Sequence, residues 1–158
     1  MTVSTRPGQD PVVIAMLAVL GSLLTAAILV AALPSPWTDA ARLPFRLICH
    51  GIPERSFTIA GHLLPVCGRC IGIYLGAVVS ASIALAVRAR RGSIALGVVL
   101  MLPMALDGFA QAIGIWTSGN GPRFITGLVF AIGFTTAILG RRTRSRVVEV
   151  LETTVSMR

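Results

Sequence analysis

An all-helical membrane bundle of four transmembrane helices is the fold class this sequence predicts, and three observations carry it. Apolar residues fill 54% of the 158 positions and charged residues only 13%, a composition outside the range of soluble domains. Four apolar runs, residues 11–33, 63–87, 93–116 and 124–140, approach or exceed the ~20 residues needed to cross ~30 Å of hydrocarbon. All fourteen basic side chains are arginine, and they cluster at Arg88, Arg90 and Arg91 after the second run and at Arg141, Arg142, Arg144 and Arg146 after the fourth. The positive-inside rule puts both clusters in the cytoplasm. A multi-pass protein of the inner (cytoplasmic) membrane is therefore expected, one membrane domain over residues 1–158 with both termini cytoplasmic. The basic tail, 141–158, stays inside, and the clusters read as orientation signals against lipid headgroups, not as nucleic-acid sites.

The first run has a longer uncharged core than a secretory signal and only Arg6 ahead of it, so it is read as a retained span. The outward segment 34–62 opens with SPWTDAARLPFRLICH, where Ser35 can cap a helix, Pro36 suits its first position and Asp39 its first turns. Apolar Leu43, Phe45, Leu47 and Ile48 interleave with Arg42 and Arg46, which predicts an interfacial helix kinked at Pro44, with Trp37 at headgroup level. The second run is taken to start its helix at Pro65, and Gly68, Gly72 and Gly76 recur every fourth residue on one face. Such a stripe allows close backbone approach in lipid, and it is a candidate face for a homo-oligomer. The third run carries Asp107 and, one turn outward, Gln111; an ionised carboxylate at that depth needs a partner, for which the outward turn TSGNGPRF offers Arg123, with Ser118 and Asn120 nearby. The fourth run is the shortest, and the apolar pattern VVEVLETTV after it is expected on the inner membrane surface.

Chemistry-bearing residues concentrate at the outward end. Helix rise places Cys49, His50, Glu54, Arg55, Cys67, Arg69 and Cys70 at the mouth of a polar column, with Gln111, Tyr74 and Asp107 beneath. The stretches CHGIPERSF, LPVCGRCIGIYLG, DGFAQAIG and SGNGPRFITG together resemble the prokaryotic membrane proteins grouped as domain of unknown function 2085, over about residues 45–130. That resemblance implies that these residues form one set, and it brings no activity with it.

Three functional readings compete. In the first, Cys49, Cys67 and Cys70 are thiolate ligands of a transition metal, zinc first and copper(I) as the softer alternative, with His50 or His62 as fourth ligand. Glu54, Arg55 and Arg69 then surround the thiolates and steady their charge. Adjacency argues against Cys49 and His50 turning onto one ion together, which leaves the fourth position to His62, a carboxylate or water. In the second, Cys67-Gly68-Arg69-Cys70 at a helix start is a redox pair, with Cys67 the nucleophile, Cys70 resolving and Cys49 relaying. In the third, the outward arginines Arg42, Arg46, Arg55, Arg69 and Arg123 bind an anionic lipid or small anion, and Asp107 couples a proton to its transport. A purely structural account also stands: the cysteines staple the outer segment, Asp107 pairs with Arg123, Tyr74 is core, and His62 caps a turn.

Overall fold

In a computed structural model, which describes residues 11–33, 37–59, 61–87 and 92–156, the described chain builds five α-helices and one β-hairpin. Arg6, Ser35, Pro36, Arg88, Arg90 and Arg91, with the side chains of Trp37, Arg142, Arg144 and Arg146, lie outside the described residues.

Helix α1 (Pro11–Ala32) is long and apolar enough to cross a bilayer, and it hides its hydroxyls on its own backbone: Ser22 Oγ donates to the Ala18 carbonyl at 2.7 Å and Thr25 Oγ1 to that of Gly21 at 2.9 Å. The short α2 (Trp37–Arg42) tightens into a 3-10 turn over Leu43–Leu47, where Pro44 ends the α-helical hydrogen bonding. Phe45 drops from this turn into the interior and Leu43 and Leu47 stay outside, as an interfacial helix requires.

The outward segment then folds back as an antiparallel hairpin, β1 (Ser56–Ile59) with β2 (His62–Cys67). Gly61, at φ 82°, supplies the left-handed residue of the reversal. Arg42 Nη2 donates to the Leu63 carbonyl at 2.7 Å, which ties α2 to the strand. The second span is therefore shorter than the run 63–87: α3 covers Gly68–Ala86, and Pro65 lies in a strand, where a two-stranded sheet leaves an edge free for a residue without an N–H. Apolar content alone could not separate a buried strand from the start of a span.

Helix α4 (Ile94–Ala112) begins at Ser93, whose hydroxyl accepts from the Leu96 N–H at 3.2 Å, and ends before Trp116 because Gly114, at φ 75°, closes it with an N–H to the Gln111 carbonyl. Helix α5 (Asn120–Ser156) is the longest, not the shortest, with an apolar stretch over Asn120–Arg141. Gly119-Asn120-Gly121-Pro122 reads as turn sequence, yet Pro122 falls in the first helical turn, where its missing N–H has no partner to lose. At ~1.5 Å per residue α5 reaches about 55 Å, so the tail read as a surface segment continues the helix.

Helix α1 packs on α3, α3 on α5 and α5 on α4. Glycines set the two inner contacts. A Cβ on Gly72 would stand 2.1 Å from the Phe124 carbonyl oxygen and one on Gly76 2.7 Å from that of Leu128, while Gly97 and Gly133 each face the other's carbonyl at 2.6 Å. The stripe of Gly68, Gly72 and Gly76 is thus covered by α5 of the same chain, which corrects its assignment to a second copy. Between these helices the Ser80 and Thr135 hydroxyls bond at 2.8 Å. Helix α4 keeps only 6% of its apolar window buried, and Leu102, Leu106 and Phe109 point outward, an arrangement that suits lipid and not water.

Candidate metal and anion site

The hairpin, the 113–119 turn and the N-terminal ends of α3 and α5 meet at one end of the bundle, and there the cysteines converge. Cys49 closes the 3-10 turn with its N–H on the Phe45 carbonyl at 2.8 Å. Gly51, at φ 58°, then reverses the chain against the Pro65 carbonyl, a conformation open to glycine and strained for other residues. The reversal aims Cys49 Sγ at the start of α3, where it accepts the Cys67 N–H at 3.2 Å. Cys67 is extended at the N-cap of α3 and Cys70 follows one turn on, with the two sulfurs 3.6 Å apart. All three sulfurs lie within 4.8 Å of one another, and all three are free thiols. Hydrogen bonds from the Cys67 and then the Cys70 thiol hold Cys49 well below the usual thiol range, against the opposing effect of its burial.

Among the described residues the group of candidate ligands stops at three. His50 is exposed and lines the same cavity, but its nitrogens are not in the sulfur group, because the backbone that turns Cys49 inward turns its neighbour out. His62 sits at the hairpin tip and borders a separate apolar pocket with Ile28, Ala31 and Ala32. Glu54 is exposed and does not reach the cavity wall.

The polar column divides in two. Tyr74, Phe45, Val66 and Ala27 form an apolar floor with Cys49 on the α1 side, so Tyr74 is core and not level with Asp107 in one channel. Arg69 leaves α3 on the other side and forms an ion pair with Asp107 of α4, which corrects Arg123 as the partner. Positions 69 and 70 are about 100° apart around α3, so the Arg69 guanidinium and the Cys70 thiol leave the helix in different directions. Gln111 Nε2 donates to Asp107 and to Ser118 Oγ, each at 2.7 Å. Arg123, only 6% exposed, reaches the same group differently: Nη2 donates to Gln111 Oε1 at 2.7 Å and Nε to Ser118 Oγ at 3.2 Å. Asn120 stays outside this network and clamps the hairpin, donating to the Ser56 carbonyl at 3.2 Å.

Between the two halves lies a cavity of about 290 Å³, walled by Cys49, Cys67 and Cys70 on one side and by Arg55, Arg69, Gln111 and Arg123 on the other. Sequence reasoning passed over Gly51 and Ser56, which aim the first cysteine and seat the hairpin. The Cys-His-Gly triplet was the available signal for the glycine.

A model of the family described as predicted membrane protein (DUF2085) matches residues 49–137. An uncharacterized protein of Methanothermobacter thermautotrophicus is 45% identical over 91 residues, covering 56% of this chain and 82% of the relative. An uncharacterized protein of Methanocaldococcus jannaschii is 42% identical over 96 residues, 58% of this chain and 60% of that protein. No solved structure matches. The matched region holds the three cysteines, Arg55, Arg69, Asp107, Gln111 and Arg123, and leaves α1 and the end of α5 outside.

Proposed function

The chain belongs to the DUF2085 family of predicted membrane proteins, and we propose that its three cysteines bind a transition metal, zinc in the first place, at the outward end of the bundle. The observation that carries this reading is the convergence of Cys49, distant in sequence, on the Cys67/Cys70 pair with all three sulfurs within 4.8 Å. Tetrahedral zinc with ~2.3 Å bonds to sulfur separates its sulfur ligands by about 3.8 Å. The 3.6 Å between Cys67 and Cys70 is already close to that value, so loading requires little movement.

The fourth position opens into the cavity, where water, His50 after a side-chain rotation, or an anion can complete the shell. An open position suits metal transfer or catalysis more than pure structure. The arginine pattern of the sequence, five in the stretches read as outward and nine in those read as cytoplasmic, supports a cytoplasmic location for both termini, and so an extracytoplasmic metal site in an inner membrane.

Metal analysis of protein purified without chelator tests the proposal. One zinc per chain is expected, with three thiols titratable after chelation and without reductant. A Cys67 to Cys70 disulfide in metal-free protein overturns it in favour of thiol exchange, which the position of this pair at the N-terminus of α3 would serve.

A further inference from the structure

The arginine wall of the cavity has more positive charge than the protein neutralises. Asp107 answers Arg69 from behind the wall, and no carboxylate among the described residues lines the cavity itself. Neither Arg55 nor Arg123 forms an ion pair with a carboxylate among the described residues. Arg123 is buried to 6% exposure and fixed at Nε and Nη2 by Ser118 and Gln111, which orient the guanidinium and carry no charge to offset it. Its Nη1 has no protein acceptor among the described residues. A buried guanidinium held in place and facing a cavity beside a second guanidinium is the arrangement of an oxyanion receptor.

We infer that Arg123 and Arg55 bind a phosphate group in this cavity, from either a phospholipid headgroup at the membrane boundary or a free phosphate solute. Arg123 provides the fixed buried donor and Arg55, exposed at the rim, closes over the group from the outward side. Phosphate suits two forked donors better than a halide, and the cavity of about 290 Å³ accommodates it with a few attached atoms. With zinc on three thiolates the metal side carries one negative charge against these two positive ones, so one net positive charge remains for the ligand. The site rests on the arginines and does not require the metal.

The test uses the full chain in detergent after treatment with chelator, with inorganic phosphate followed by calorimetry and by thermal shift. A parallel arm uses vesicles of phosphatidylcholine with and without phosphatidic acid. Saturable binding of either probe is expected, about tenfold weaker in Arg55→Gln, the loss of one charge-assisted hydrogen bond, and unchanged in Arg46→Gln, an exposed arginine outside the cavity. Binding of inorganic phosphate identifies a free solute, and binding of phosphatidic acid alone identifies the headgroup. No binding of either probe, or equal losses in Arg55→Gln and Arg46→Gln, overturns the inference. Because Arg55 is exposed, that variant separates a binding defect from a folding defect, and Arg123→Gln should remove binding altogether. Phosphate binding that survives in protein found to take up no metal would fail the metal proposal alone.

Discussion

Replacing Gly72 by alanine tests the helix contact on which the cavity geometry depends. The added methyl would stand 2.1 Å from the Phe124 carbonyl oxygen and 3.1 Å from the Leu128 nitrogen, about 1.3 Å short of the 3.4 Å at which ordinary contact begins. Both obstacles are backbone, so no side chain can swing aside and α3 must part from α5. Overpacking of this kind costs ~1–3 kcal/mol, and the rigid neighbours put Gly72→Ala in the upper half of that range. Alanine's better helix propensity returns ~0.8–1 kcal/mol, leaving a net loss of about 1–2 kcal/mol. Gly21→Ala on α1 is the control: its nearest atom is Val78 Cγ2 at 3.6 Å, so only the propensity gain remains. Reversible unfolding in mixed detergent micelles reads the difference. If Gly72→Ala matches or exceeds the stability of Gly21→Ala, the α3–α5 contact is not as close as described, and the placement of Arg123 opposite the thiols fails with it.

Asp107→Leu leaves Arg69 without its acid and should cost about 3 kcal/mol, the low end for a broken buried pair because Arg69 keeps 23% of its side chain exposed. Adding Arg69→Met should restore most of that loss in the same unfolding assay, and a single variant as stable as the parent contradicts the pair. In chelator-treated protein the lowered Cys49 thiol contributes stability that is full above the unfolded thiol pKa and is lost as pH falls toward its folded value. Stability should therefore decline as pH drops below the ordinary thiol range, and Cys49→Ser should flatten that slope; an unchanged slope counts against the thiolate. Ser80→Ala removes the hydroxyl that bonds Thr135 across α3 and α5 and should cost about 0.6 kcal/mol, typical for such bonds in lipid, and the double variant with Thr135→Ala should lose less than the sum of the two single variants.

The four spans were legible because lipid demands long apolar runs, and that demand overrides most local detail. What the pattern could not tell was where a run stops being helix. Residues 63–67 are as apolar as a span, and only pairing with β1 makes them a strand. Gly68, Gly72 and Gly76 announced a close contact without naming its partner, since a stripe of small residues fits a helix of the same chain as well as a second copy. The set of site residues was readable as a set, and its wiring was not. Arg69 and Arg123 are equally plausible partners for Asp107 by depth, and the choice falls to Arg69 because Gln111 and Ser118 occupy the Arg123 guanidinium. Cys49 was correctly grouped with the CxxC pair, whereas the adjacency that argued against His50 turning onto the same ion as Cys49 agrees with its nitrogens lying outside the sulfur group.

X-ray absorption at the zinc edge of protein purified with its metal tests the central claim most directly. The account predicts three sulfur scatterers at ~2.3 Å and a single lighter neighbour, lost together when Cys49 is changed to serine. Zinc surrounded by nitrogen and oxygen alone, or a spectrum indifferent to Cys49→Ser, would contradict it.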